Sequence, residues 1–248
     1  MSNIKKKGGN QAFKKWKFKP SMLINGYLRG NGVAIEDKEG ILHLIYNGSY
    51  GKFLGHRMNF QNKDCFLNED KTIDNKSYQY FTHFVVNNST FLILSYVEAF
   101  YLAYYMKILN LYIDKQKKIT INEFWEICIS SDKRFIKKFC VYKFFREKCW
   151  VVSSGISFGC DYVLYKRSPE VVHASAGVYI HDKSSYEETD FTTQSSFGLQ
   201  RVLSNVKKDL IYCYLEIDEE KFDPYKIDSI NLIKVSMKGK KARKKNSN

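Results

Sequence analysis

Late in this chain of 248 residues, Tyr165, His173 and the adjacent pair Lys207 and Lys208 are residue types that can move protons and stabilise charge. RNA carries a 2′-hydroxyl beside each phosphodiester. A base to take that proton, a fixed cation for the charge gathering around phosphorus and an acid for the departing 5′-oxygen are therefore enough to cleave it. Such a reaction leaves a 2′,3′-cyclic phosphate and a 5′-hydroxyl. An unperturbed phenol titrates at about 10, so about one in a thousand is ionised at neutral pH, and a nearby ammonium favours the phenolate. Imidazole titrates near neutrality and suits the acid.

These groups need elements to carry them. Residues 160–165 alternate as a half-buried strand does, and the following Lys166, Arg167, Ser168 and Pro169 end it, because proline cannot donate to a ladder. Tyr165 then stands near the strand's end, with His173 returning across a short loop. Strands are also predicted at 149–153, 177–180, 210–216 and 230–235, with a helix at 197–207.

Upstream, residues 22–88 hold short alternating segments such as 32–35 and 41–46, punctuated by Asn47, Gly48, Tyr50 and Gly51, which predicts a small sheet with tight turns. Ser95 with Glu98 and Thr120 with Glu123 have capping-box spacing. The apolar run 91–109 contains Glu98 and Lys107 and is heavy in tyrosine, so it reads as a buried helix rather than a membrane span. Phe135, Phe139, Tyr142 and Phe145 fall at helical spacing in a helix ending near Lys148. The expected fold class is α+β (mixed α/β): an N-terminal sheet-plus-helices domain at 20–140 and a C-terminal mixed-sheet domain at 141–237, flanked by flexible basic arms at 1–19 and 238–248.

The 40 basic and 26 acidic side chains give a formal charge of +14, which favours a polyanionic partner through counterion release. A lysine-rich composition serving only solubility would give the same charge, so the charge alone does not decide. The six cysteines, at 65, 128, 140, 149, 160 and 213, form no Cys-x-x-Cys pair and no zinc-like cluster, and read as small buried hydrophobes suited to a reducing compartment. Asp161 and Glu170 are conceivable metal ligands of another nuclease class, but no Asp/Glu-x-Lys element follows at suitable spacing, so no metal and no cofactor is expected. Asp161 is read as bonding local backbone, and Gly155 and Gly159 as turn positions. The remaining histidines, His43, His56, His83 and His181, are read as structural or exposed. An apolar signal-peptide core is not found near Met1, which argues against secretion.

Tyr142, Arg146, Trp150, Gly155, Phe158, Gly159, Asp161, Tyr162, Tyr165, Lys166, Arg167, Pro169, His173 and Ala174, in this order and spacing, resemble the tRNA-splicing endonuclease family. Glu98 to Leu102 upstream and Arg201 to Lys208 downstream extend the resemblance over roughly residues 22 to 236. Within the family, Tyr165, Lys166, Arg167, His173 and Ala174 look most like the eukaryotic catalytic subunit assigned to the 5′ splice site. Ser153, Ser157 and Ser168 depart from its pattern.

The resemblance implies the tRNA-intron endonuclease catalytic fold for the C-terminal domain and a catalytic triad of Tyr165 as general base, His173 as general acid and Lys208, selected by counting from Arg201, as the fixed cation. It also implies precursor tRNA as substrate and a heterotetramer of two catalytic and two structural subunits. Its setting would be nuclear or, alternatively, the cytoplasmic face of the mitochondrial outer membrane. A non-catalytic RNA-binding or assembly subunit is the alternative. Asp218, Glu219 and Glu220 form an acidic patch between two predicted strands, and in the family an acidic loop here inserts into a partner subunit. Arg201 is a candidate for RNA contact.

Overall fold

A computed structural model describes residues 22–53, 91–169, 172–181 and 193–240. The N-terminal arm at 1–19, Cys65, His56, His83 and Glu170 lie outside the described residues. The first half builds a six-stranded mixed sheet in the order β3-β4-β2-β1-β5-β6. Its strands are β1 (Ile24–Arg29), β2 (Gly32–Ile35), β3 (Lys52–Phe53), β4 (Leu92–Ser95), β5 (Leu109–Ile113) and β6 (Lys117–Ile119). Only the β1–β5 pair is parallel.

Two sequence expectations fail in this half. Residues 41–46, read as strand, belong to helix α1 (Lys38–Tyr46). Asp37 caps it by accepting from the Gly40 amide at 2.6 Å, and Ile41 and Leu44, three residues apart, share a buried face. The run 91–109 is not one helix. Ser95 and Glu98 form a capping box that ends β4 and starts helix α2 (Tyr96–Phe100), whose chain continues as a wider π turn (Tyr101–Tyr105) before β5 begins at Leu109. The Thr120–Glu123 box likewise starts α3 (Ile121–Ser131). Among the described residues no helix is long and apolar enough to cross a membrane.

Helix α4 (Phe135–Glu147) leads to the second sheet, which runs β11-β10-β9-β8-β7. Its strands are β7 (Val151–Ser154), β8 (Tyr162–Tyr165), β9 (Ala176–His181), β10 (Asp209–Ile217) and β11 (Ile233–Lys240). Helix α5 (Thr193–Asn205) lies between β9 and β10, which pair in parallel; the other pairs are antiparallel. The last strand sits later than expected. Residues 227–232 form a short 3-10 turn, and β11 runs through Lys238 to Lys240, the start of the expected tail, because the whole length of β10 offers it partners from Ile217 to Leu210. Residues 241–248 lie outside the described residues.

Burial follows the two-residue period of the strands. Tyr162, Leu164, Val178, Ile180, Cys213 and Leu215 face a core that includes Phe100, Phe124 and Trp125 of the first half and Phe135, Phe139, Tyr142 and Phe145 of α4. Phe100 meets Phe139 edge-on at 4.9 Å. The opposite face of the second sheet packs a smaller cluster, Val163, Leu210 and Tyr212 against Leu199 and Leu203 of α5, joined by Cys160 and Ala174. Cys128, Cys140, Cys160 and Cys213 are buried, and Cys149 is half-buried.

Candidate active site

Tyr165 is the last residue of β8, opposite Val151 of β7. It keeps phase with Val163 and is partly buried against the smaller cluster. Leu164 pairs with Ala176, and Ser175 donates its amide to the Leu164 carbonyl at 2.7 Å, so Ser175 stands beside Tyr165. On the far side of β9, Asp209 pairs with Ala176 and donates to the Ser175 carbonyl at 3.1 Å, so Lys208 stands on the other side of Ser175. With neighbouring strands about 4.8 Å apart, the Tyr165 and Lys208 backbones are about 10 Å apart across one intervening residue, within reach of two long side chains. His173 is exposed and lies two residues before Ser175, in the loop that leads into β9. One end of the second sheet therefore holds the backbones of Tyr165 and Lys208 on either side of Ser175, with His173 two residues earlier in the chain.

The backbone sets Lys207 and Lys208 apart. Lys207 takes a left-handed conformation, φ 55°, at the end of α5. Its amide bonds the Ser204 carbonyl at 3.0 Å and the Lys208 amide bonds the Leu203 carbonyl at 2.8 Å, the paired bonds of a Schellman motif. Lys207 is thus the residue that turns the chain, and exposed; Lys208 is the first residue past the turn, half-buried and leading into β10. Sequence reasoning had no glycine to mark this turn.

Asp161 does not serve local backbone. Its carboxylate accepts from the Ile180 amide at 2.7 Å and pairs with Arg134 at 3.1 Å, bonding the loop before β8 to β9 and to the start of α4. Arg134, which carries no motif of its own, was not foreseen. Gly155 and Gly159 are turn residues as expected: a side chain at Gly155 would meet the Cys160 sulfur at 2.6 Å, and Gly159 has φ 72°. His43 accepts from the Asn47 side-chain amide nitrogen at 3.2 Å, and His181 packs its ring 5.3 Å from that of Tyr214. Arg201 is exposed and has no ion-pair partner among the described residues. No group of three potential metal-ligating side chains occurs among the described residues.

Behind the site, Arg146 is buried at 4% exposure, its guanidinium 3.9 Å from the Tyr50 ring and bonded to the Gly48 carbonyl at 2.9 Å. Burial pushes the Tyr50 phenol up, against the pull of the Arg146 charge. Tyr142 and Tyr162, deeply buried, are likewise pushed well up by loss of solvation. Tyr162 donates to the Lys138 carbonyl at 3.0 Å, so its role is in the core.

A family model for the tRNA intron endonuclease N-terminal domain matches residues 24–125, and one for the catalytic C-terminal domain matches residues 135–223. The chain belongs to the tRNA-splicing endonuclease family.

It is 34% identical over 133 residues to a tRNA-splicing endonuclease of Methanococcus vannielii, covering 53% of this chain and 72% of that protein. It is 36% identical over 129 residues to tRNA-splicing endonuclease subunit Sen2 of Mus musculus, covering 50% of this chain and 28% of that one. The corresponding subunit of Saccharomyces cerevisiae is 42% identical over 84 residues, 33% of this chain and 21% of its own length. The matched part thus spans under a third of each of these two eukaryotic relatives.

Proposed function

We propose that this chain is a catalytic subunit of a tRNA-splicing endonuclease, cutting intron-containing precursor tRNA at the 5′ splice site. The observation that supports this most is the placing of Tyr165 and Lys208 on either side of Ser175 at one end of three adjacent strands, with His173 two residues before Ser175. Tyr165 takes the proton of the 2′-hydroxyl, and the freed oxygen attacks the adjoining phosphorus. Lys208 stabilises the charge on the phosphorane oxygens. His173 gives its proton to the 5′-oxygen as the P–O bond breaks, leaving a 2′,3′-cyclic phosphate upstream and a 5′-hydroxyl downstream.

The relatives named as Sen2 are named as subunits. This reading therefore gives the chain partner subunits, in a heterotetramer, through the acidic turn of Asp218, Glu219 and Glu220 and the outer edge of β11. It also sets the enzyme in the nucleus or at the cytoplasmic face of the mitochondrial outer membrane.

The test uses the assembled enzyme and precursor tRNA. Cleavage is expected to persist in excess chelator, to yield cyclic phosphate ends, and to stop when the 2′-hydroxyl at the scissile position is replaced by hydrogen. Activity lost to chelator and restored by magnesium, with assembly intact, would overturn the mechanism, as would clean cleavage of the deoxy site.

A further inference from the structure

The Lys208 ammonium lies over the ring of Phe158, 5.1 Å from its centroid, a cation–π distance. Its other polar neighbour is the Val206 carbonyl at 3.5 Å. Among the described residues it has no carboxylate partner. The distinction matters for chemistry. A carboxylate would hold the ammonium but would also offset its field at a phosphate, whereas an aromatic face holds it through a quadrupole and adds no net charge.

Both partners are fixed from behind. Phe158 closes a short 3-10 turn (Ile156–Phe158) in which its amide bonds the Gly155 carbonyl at 2.8 Å, and the left-handed Gly159 follows. Gly155 in turn donates to the Asp161 carbonyl at 3.0 Å, so the loop is tied to the base of β8. The Phe158 ring packs on the cluster that includes Leu199 and Leu203 of α5. Leu203 is also the residue whose carbonyl receives the Lys208 amide, so ring and lysine are referenced to the same turn of helix.

We propose that Phe158 is a positioning residue for the cleavage step, seating the Lys208 ammonium at the phosphate without neutralising it. The proposal rests on the role of Lys208 given above. Phe158 acts through Lys208.

The experiment incorporates mono-, di- and trifluorinated phenylalanine at 158, which drains the ring face while keeping its shape, and measures single-turnover cleavage by the assembled enzyme. The rate at saturating precursor should fall stepwise with fluorine count, by about three- to thirtyfold in all, with KM unchanged. In a Lys208→Ala background the same series should change nothing. Phe158→Tyr should keep the rate and Phe158→Leu should lose it.

A flat fluorine series beside a slow Lys208→Ala enzyme would overturn the positioning role alone. An equal fall in both backgrounds would also overturn it, because the ring would then act through packing. An unimpaired Lys208→Ala enzyme would overturn the role of Lys208 and this proposal with it.

Discussion

The Arg134 guanidinium meets the Asp161 carboxylate at 3.1 Å and donates to the Ile180 carbonyl at 3.2 Å, joining the start of α4 to two strands of the second sheet. The carboxylate is 7% exposed and also takes the Ile180 amide, whereas the Arg134 side chain is 43% exposed. Removing the acceptor and screening the charge are therefore different injuries. Asp161→Ala should cost about 1 to 3 kcal/mol in urea unfolding, the penalty of a buried amide left unpaired. Asp161→Asn, which still accepts that amide, should recover most of it, since a solvent-exposed arginine partner contributes about 0 to 1 kcal/mol. Equal losses in the two variants would show that the ion pair, not the amide bond, holds the strands.

Acid should loosen α4 at both ends. Burial raises the Asp132 carboxyl, but a hydrogen bond from Lys138, one from the Arg134 amide and the charges of both residues outweigh it, holding the group below the usual carboxylate range. At Glu147 burial is likewise outweighed, by hydrogen bonds from Tyr105 and Lys143 and by the charges of Lys143 and Lys148. A depressed folded-state pKa contributes stability above the unfolded value of about 4 and loses it as pH falls through the lower folded value. Unfolding free energy should decline from about pH 5 to about pH 3, and less steeply in the Asp132→Asn, Glu147→Gln double variant. Identical slopes for parent and double variant would discount both groups.

Arg146 should be indispensable to the fold although it is a buried cation. Arg146→Ala forfeits the Tyr50 ring contact and the Gly48 bond and leaves a cavity, an expected loss of about 2 to 4 kcal/mol by denaturant melt. Arg146→Lys should not restore it, because an ammonium cannot lie flat on the ring while reaching the carbonyl. A stable lysine variant would contradict this account.

His173→Ala in the assembled enzyme should abolish the 5′ cut and spare the 3′ cut, so that 5′ exon and intron remain joined in the accumulating product. Gel analysis of end-labelled precursor distinguishes the cuts. Selective loss of the 3′ cut would assign this chain to the other splice site.

The turn after β10 should govern assembly. Glu219 and Glu220 are exposed, and Asp218 pairs with Lys221, three positions on in the same turn, at 3.5 Å. Replacing Asp218, Glu219 and Glu220 with lysine should weaken association with partner subunits at moderate salt by about 2 to 5 kcal/mol if the charges are desolvated in a basic cleft. The fold itself should change little. Undiminished co-purification across a salt series would shift attention to β11.

What the sequence disclosed depended on how locally each signal was written. Tyr165 at the close of a short strand is read from alternation and Pro169, and both capping boxes lie within four residues. Residues 41–46 misled because a six-residue run that is apolar but for His43 and the Tyr46 hydroxyl fits either a strand or a buried stretch of helix, and only Asp37 and Gly40 outside that window tip the balance. The run 91–109 misled because apolar and aromatic residues continue on both sides of Ser95, so the strand before it and the helix after it share one composition. Arg134 with Asp161, and Phe158 with Lys208, are separated by 27 and 50 positions, so no spacing in the chain announces them.

The two family segments meet in a single body of buried side chains running from Ile24 and Phe100 through Phe139 and Tyr142 to Leu164 and Cys213. Such a chain has one folding fate. Severing it between residues 125 and 135 would strip aromatic surface from both pieces, so each half would lose part of the core it folds around. Harm done far from Tyr165, in the first sheet, would then be felt at Tyr165 as fewer folded molecules rather than as a locally altered one.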